Sequence, residues 1–139
     1  MTSVVEICNI GLTNLGDQKI SSLTDNNERA RLCNLRYEDT RDAVLRSYPW
    51  TCAVARTKLA QSSDTPSWGF SYKYALPSDC LRVLDLYDWD DEHYVENGFI
   101  VTDSEQAWIK YIKRVEDPNE FDALVIHAIG LRLAMEIAE

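Results

Sequence analysis

A chain of 139 residues is the size of one domain and can bury about 70% of its extended-chain surface. With 45% hydrophobic and 27% charged residues it has the composition of a folded globule, which excludes global disorder. The formal net charge of −9 repels phosphate, so non-specific nucleic-acid binding is disfavoured and a basic partner is suited.

Residues 2–15 carry Glu6, Asn9 and Asn14 and lack the basic start and apolar block of a signal peptide. No apolar run approaches the roughly 20 residues that span a bilayer. The expectation is a soluble protein made in a cytoplasm. Cys8, Cys33, Cys52 and Cys80 are too far apart in sequence for a zinc motif. Cys8 and Cys33 fall on apolar helix faces, so buried thiols are expected rather than disulfides.

In chain order, residues 3–15 read as a helix, with Val5, Cys8, Leu12 and Leu15 on one face and Gly16 as its left-handed stop. Ile20 and Leu23 anchor the connector. A second helix starts near Asp25, with Glu28 completing a capping box, and runs to Ser47 before Pro49. Ala30, Cys33, Tyr37, Val44 and Tyr48 form its inner stripe, and Glu28, Arg29, Arg31, Arg36, Glu38, Asp39, Arg41 and Asp42 its solvated face. Residues 50–80 read as irregular, with an extended segment at Tyr74–Pro77. A strand follows at Leu81–Leu86. Tyr94–Glu96 and Phe99–Thr102 flank Asn97-Gly98, a type I′ hairpin signal. Trp108–Val115 is a further strand, with Ile109 and Tyr111 set against Lys110 and Lys113. A meander of three or four strands is expected.

The last helix is expected from Asp117 as cap and Pro118 as first residue, with Glu120 behind them. Phe121, Leu124, Val125, Ala128, Leu131, Met135 and Ala138 form one broad apolar stripe. No stop signal follows, and Glu136 and Glu139 sit where the helix dipole disfavours them. The expectation is a chain that ends inside a helix, either truncated or completed by a partner. The fold class expected is α+β and mainly α, a bundle of about three long helices with an inserted small antiparallel sheet. It forms a single domain over 1–139, with a helical core at 3–48 and 118–139 and a β and loop insertion at 50–116.

Chemistry is sparse. Histidine occurs only at 93 and 127, and no nucleophile elbow or phosphate-cradling glycine loop is present. The run Asp88-Trp89-Asp90-Asp91-Glu92-His93 resembles a cation site, but the sixth and twelfth EF-hand places hold His93 and Phe99. It reads as an acidic loop. No catalytic residue, cofactor or metal ligand is assigned. The aromatic residues at 68–74 fit core packing, a partner interface or a small-ligand pocket. Trp50, Trp68, Phe70 and Tyr72 are the candidate assembly surface.

Four stretches in order carry a resemblance. They are Cys8-Asn9-Ile10-Gly11-Leu12 with Leu15-Gly16 and Ile20-Ser21-Ser22-Leu23; then Ala30-Arg31-Leu32-Cys33 with Tyr37 and Arg41-Asp42; then Pro49-Trp50 with Ala53; then Tyr74-Ala75-Leu76-Pro77, Cys80-Leu81-Arg82-Val83 and Tyr111-Ile112-Lys113-Arg114-Val115. The set resembles the tail tubular protein A family, the head–tail adaptors or connectors of short-tailed phages and prophages. The resemblance implies a helical core with an inserted β region and no catalysis. It implies a homo-oligomeric ring between the portal protein and the tail nozzle protein, with subunits that can stay monomeric until they dock. DNA would pass an acidic lumen without specific binding, no membrane is involved, and the setting is the virion, after assembly in a bacterial cytoplasm. Members usually continue beyond the last helix, which this sequence does not. Two other readings stay open: a small module binding a peptide or ligand at loop 68–74, and a metal-dependent enzyme using 88–93.

Overall fold

The computed structural model describes residues 2–87 and 92–138. The acidic run lies mostly outside these described residues. The elements in order are α1 (Val4–Asn14), α2 (Glu28–Ser47), β1 (Val54–Leu59), β2 (Tyr72–Ala75), β3 (Cys80–Leu86), β4 (His93–Glu96), β5 (Phe99–Thr102), β6 (Ala107–Lys113) and α3 (Ala123–Ile137). Short 3₁₀ turns occupy Thr51–Ala53 and Pro118–Glu120. They fold into two compact units, a helical one of residues 1–53 and 115–139 and a β unit of residues 54–114.

In the helical unit, Ser3 caps α1 by accepting the Glu6 N–H at 3.2 Å. Gly16 ends it with φ +77°, a conformation open to glycine without a Cβ clash. The Asn9 side chain then clamps the connector, accepting from Ile20 N–H at 2.8 Å and donating to Ile20 C=O at 3.0 Å. The α2 cap is Asn27, which accepts from Ala30 N–H at 2.9 Å. Asp25 does not cap α2 as the sequence reading has it; its carboxylate takes the Ser21 and Ser22 N–H groups one turn earlier. A side-chain bond back to the preceding connector outcompetes the capping box.

Two corrections follow on α2. Tyr48, placed in the inner stripe, is exposed, because α2 stops before it and its backbone is extended. Arg41, placed on the solvated face, is buried, its Nε 3.0 Å from the Asp42 carboxylate. Thr40 and Leu45 complete the buried face with Ala30, Cys33, Tyr37 and Val44.

The helices α1 and α3 meet at two glycines. A Cβ on Gly11 would lie 2.6 Å from the Gly130 carbonyl oxygen, and one on Gly130 would lie 2.7 Å from Ile10 Cγ2. The backbones approach to a distance that any side chain would block. Ile7, Cys8 and Leu12 of α1 and Val125, Ile129, Leu133 and Ala134 of α3 are buried. The third helix is also shorter than expected. Residues 117–120 form a separate turn, with Asp117 accepting from Asn119 N–H at 3.0 Å, and Asp122 is the N-cap of α3.

The β unit overturns the expectation of a mainly helical three-helix bundle. Strands take up 25% of the structure against 39% for helices, and they form two three-stranded antiparallel sheets. One sheet has the order β1-β6-β3 and the other β2-β5-β4. The strands β1 and β2 fall in the stretch read as irregular. Their sequences, Val-Ala-Arg-Thr-Lys-Leu and Tyr-Lys-Tyr-Ala, are too short and too polar to announce a sheet alone. Each is stabilised by pairing with a strand distant in sequence, β1 with β6 and β2 with β5. That is the context dependence of strand propensity. The β4–β5 hairpin forms at the expected place, with positive φ at both Asn97 (49°) and Gly98 (81°).

Both sheets contribute to one core of Leu59, Tyr74, Leu86, Ile100, Ala107, Ile109 and Tyr111. The two buried phenols of this core keep partners: Tyr74 donates to Ser104 C=O at 2.6 Å and Tyr111 to Asp79 at 3.2 Å.

Two predictions follow from these contacts. Gly11→Ala or Gly130→Ala should lower stability by about 1–3 kcal/mol through overpacking against backbone, read as a lower denaturation midpoint at unchanged slope. Tyr37 is buried with no hydrogen-bond partner for its hydroxyl among the described residues, and burial pushes its phenol up to about 12. Because the raised group stays protonated in the fold, its contribution is full below the ordinary tyrosine range and is lost as pH rises towards 12. Stability measured by urea titration should therefore decline above pH 10, and Tyr37→Phe should make that decline shallower.

Candidate functional site: two assembly surfaces

The sequence-predicted surface residues are divided between the two units. Trp50 belongs to the helical unit, where its indole N–H donates to Val44 C=O at 2.8 Å and its ring packs on Tyr48 at 5.0 Å. It locks the end of α2 and is only partly accessible. Trp68, Phe70 and Tyr72 belong to the β unit. Trp68 is 87% exposed on its loop. Phe70 packs edge-on against Tyr94 at 5.7 Å, and Tyr72 leans on the core of the β unit. Of the four, Trp68 alone presents most of its ring to solvent.

A surface that the sequence reading missed lies on α3. The broad apolar stripe splits into two faces. Val125, Ile129 and Leu133 point inward, while Leu124, Leu131 and Met135 are 67%, 48% and 74% exposed. Spacings of seven and four, with Ala128 between, put these three on one line along the helix. The signal was legible as a stripe wider than one buried face needs. Beside it, Glu6, Asn9, Ile10 and Thr13 of α1 and His127 and Leu131 of α3 line a shallow depression.

A second surface lies on the outward face of the β1-β6-β3 sheet. Register places Arg56 opposite Lys110 and Lys58 opposite Trp108, with Asp85 on the far side of Lys110. Arg56, Lys58, Asp85, Tyr87 and Trp108 are exposed, alternating with buried Leu59, Leu86, Ala107 and Ile109. Lys58 Nζ sits 5.3 Å above the Trp108 ring. A groove of about 860 Å³ crosses the three strands between these side chains.

All four cysteines are thiols. A hydrogen bond with Cys33, and burial behind it, push the Cys8 thiol well above the ordinary thiol range, which keeps it protonated and unreactive. No group of three or more His, Cys, Asp or Glu gathers as metal ligands among the described residues. No helix among them is long and apolar enough to cross a membrane. Neither a family model nor a curated protein matches the chain.

Variants retaining one tryptophan test this division. The chain keeping only Trp68 should emit at long wavelength and be quenched readily by acrylamide. The chain keeping only Trp50 should emit further to the blue and resist quenching.

Proposed function

We propose that this chain is a structural assembly protein, a head–tail connector subunit that joins copies of itself into a ring between a portal and a tail nozzle. The observation that carries the reading is α3, a helix with two apolar faces of which its own unit covers one. Leu124, Leu131 and Met135 in line make an apolar seam of the kind helices bury against partners. The ordered resemblance to the tail tubular protein A family supports the same role and supplies the portal and nozzle as partners. The net charge of −9 suits a lumen along which DNA slides without adhering.

The test is electron microscopy of the full chain mixed with its cognate portal assembly. Rings on the portal are expected; absence of any complex by microscopy and co-sedimentation would overturn the reading. Leu131→Glu with Met135→Glu should abolish ring formation and leave thermal stability within about 0.5 kcal/mol, as for exposed positions. Ile129→Ala, on the inner face, should instead cost about 2–5 kcal/mol.

A further inference from the structure

The cations of this acidic chain are not evenly spread. Arg56, Lys58 and Lys110, from strands far apart in sequence, come together on one face of the β1-β6-β3 sheet, with Arg82 on β3 beside them. The exposed rings of Trp108 and Tyr87 stand in the same groove. Asp85 is the one carboxylate among the described residues lining it. Arg56 and Lys110 form no ion pair among the described residues.

The helical unit carries the opposite pattern. Glu116, Asp117, Glu120 and Asp122 are all exposed within seven residues, and exposed Leu124 follows them at the start of the α3 seam. No Lys or Arg occurs between Val115 and Leu131. Glu116 and Glu120 have no cationic partner among the described residues.

We infer that the cationic groove on the β1-β6-β3 sheet receives the acidic 116–122 segment, with Leu124, of a second copy of this chain. The inference rests on the ring reading above and names the surface that accepts one end of the α3 seam. Charge complementarity selects the occupant: the carboxylates of the segment face Arg56 and Lys110, with Lys58 beside them over Trp108, and Leu124 has two aromatic rings to fill against. A single-stranded nucleic acid would also use cations and aromatics, and the experiment below separates it from a second copy. The two surfaces are unlike and lie on different units, so the contact is head-to-tail, the type that closes into rings when its rotation permits.

A charge swap tests it in the full chain. Sedimentation velocity should show wild-type association that grows with concentration and weakens with salt. Arg56→Glu with Lys110→Glu should weaken association by about tenfold or more, as should Glu116→Lys with Glu120→Lys. Circular dichroism should show both double variants folded, since none of the four positions is buried. Mixing the two variants should restore association, because each then meets an opposite charge. Association that neither variant disturbs would overturn the groove assignment and leave the ring reading standing. A wild-type chain monomeric at every concentration, and on the portal, would overturn both. A labelled oligothymidylate that binds the wild type, is lost in the Arg56→Glu/Lys110→Glu variant, and is not displaced by self-association would overturn the inference in favour of a nucleic-acid surface.

Discussion

The close crossing of α1 and α3 at Gly11 and Gly130 governs the helical unit. With no Cβ at either position, the Gly130 carbonyl lies where an alanine methyl on α1 would sit. Two backbones this close bury a narrow strip of each helix, and on α3 that strip is Val125, Ile129 and Leu133 with Gly130 and Ala134. Leu124, Leu131 and Met135 lie outside that strip and stay exposed. Packing energy spent on the α1 contact leaves a second apolar face on α3 facing solvent, where it costs solubility unless something covers it.

The β unit solves a different problem. Its strands are short, with six residues in β1 and four in β2, and none could persist alone. They are stabilised together by one core that draws Tyr74 and Ile100 from one sheet and Leu59, Leu86 and Ile109 from the other. The two-residue alternation of β1 and β6 and their register put Arg56, Lys58, Trp108 and Lys110 on the same face. The cationic groove is thus a by-product of pairing register: a slip by one residue would bury the cations and expose Ile109.

These two surfaces give the connector reading physical content. One is apolar and acidic at its start, the other basic and aromatic, and a protein of net charge −9 needs some such device to approach its own copies. The aromatic loop, which drew attention in the sequence, contributes less. Phe70 and Tyr72 are engaged within the β unit and Trp50 closes the end of α2.

Local chemistry made several elements readable from the residues alone. Gly16 stops α1, Pro49 follows the end of α2, and Asn97-Gly98 turns the hairpin, because each depends on backbone preferences that act over two to four residues. The 3.6-residue periodicity likewise announced three helices. What needed the tertiary structure was everything set by partners distant in the chain. Strands β1 and β2 exist because β6 and β5 pair with them, so a sequence without strong β-branched runs reads there as loop. Arg41 is buried by its neighbours, not by its own polarity. The α3 stripe was visible as apolar, but which half of it faces inward was decided by packing against α1 and α2, which periodicity along α3 cannot encode.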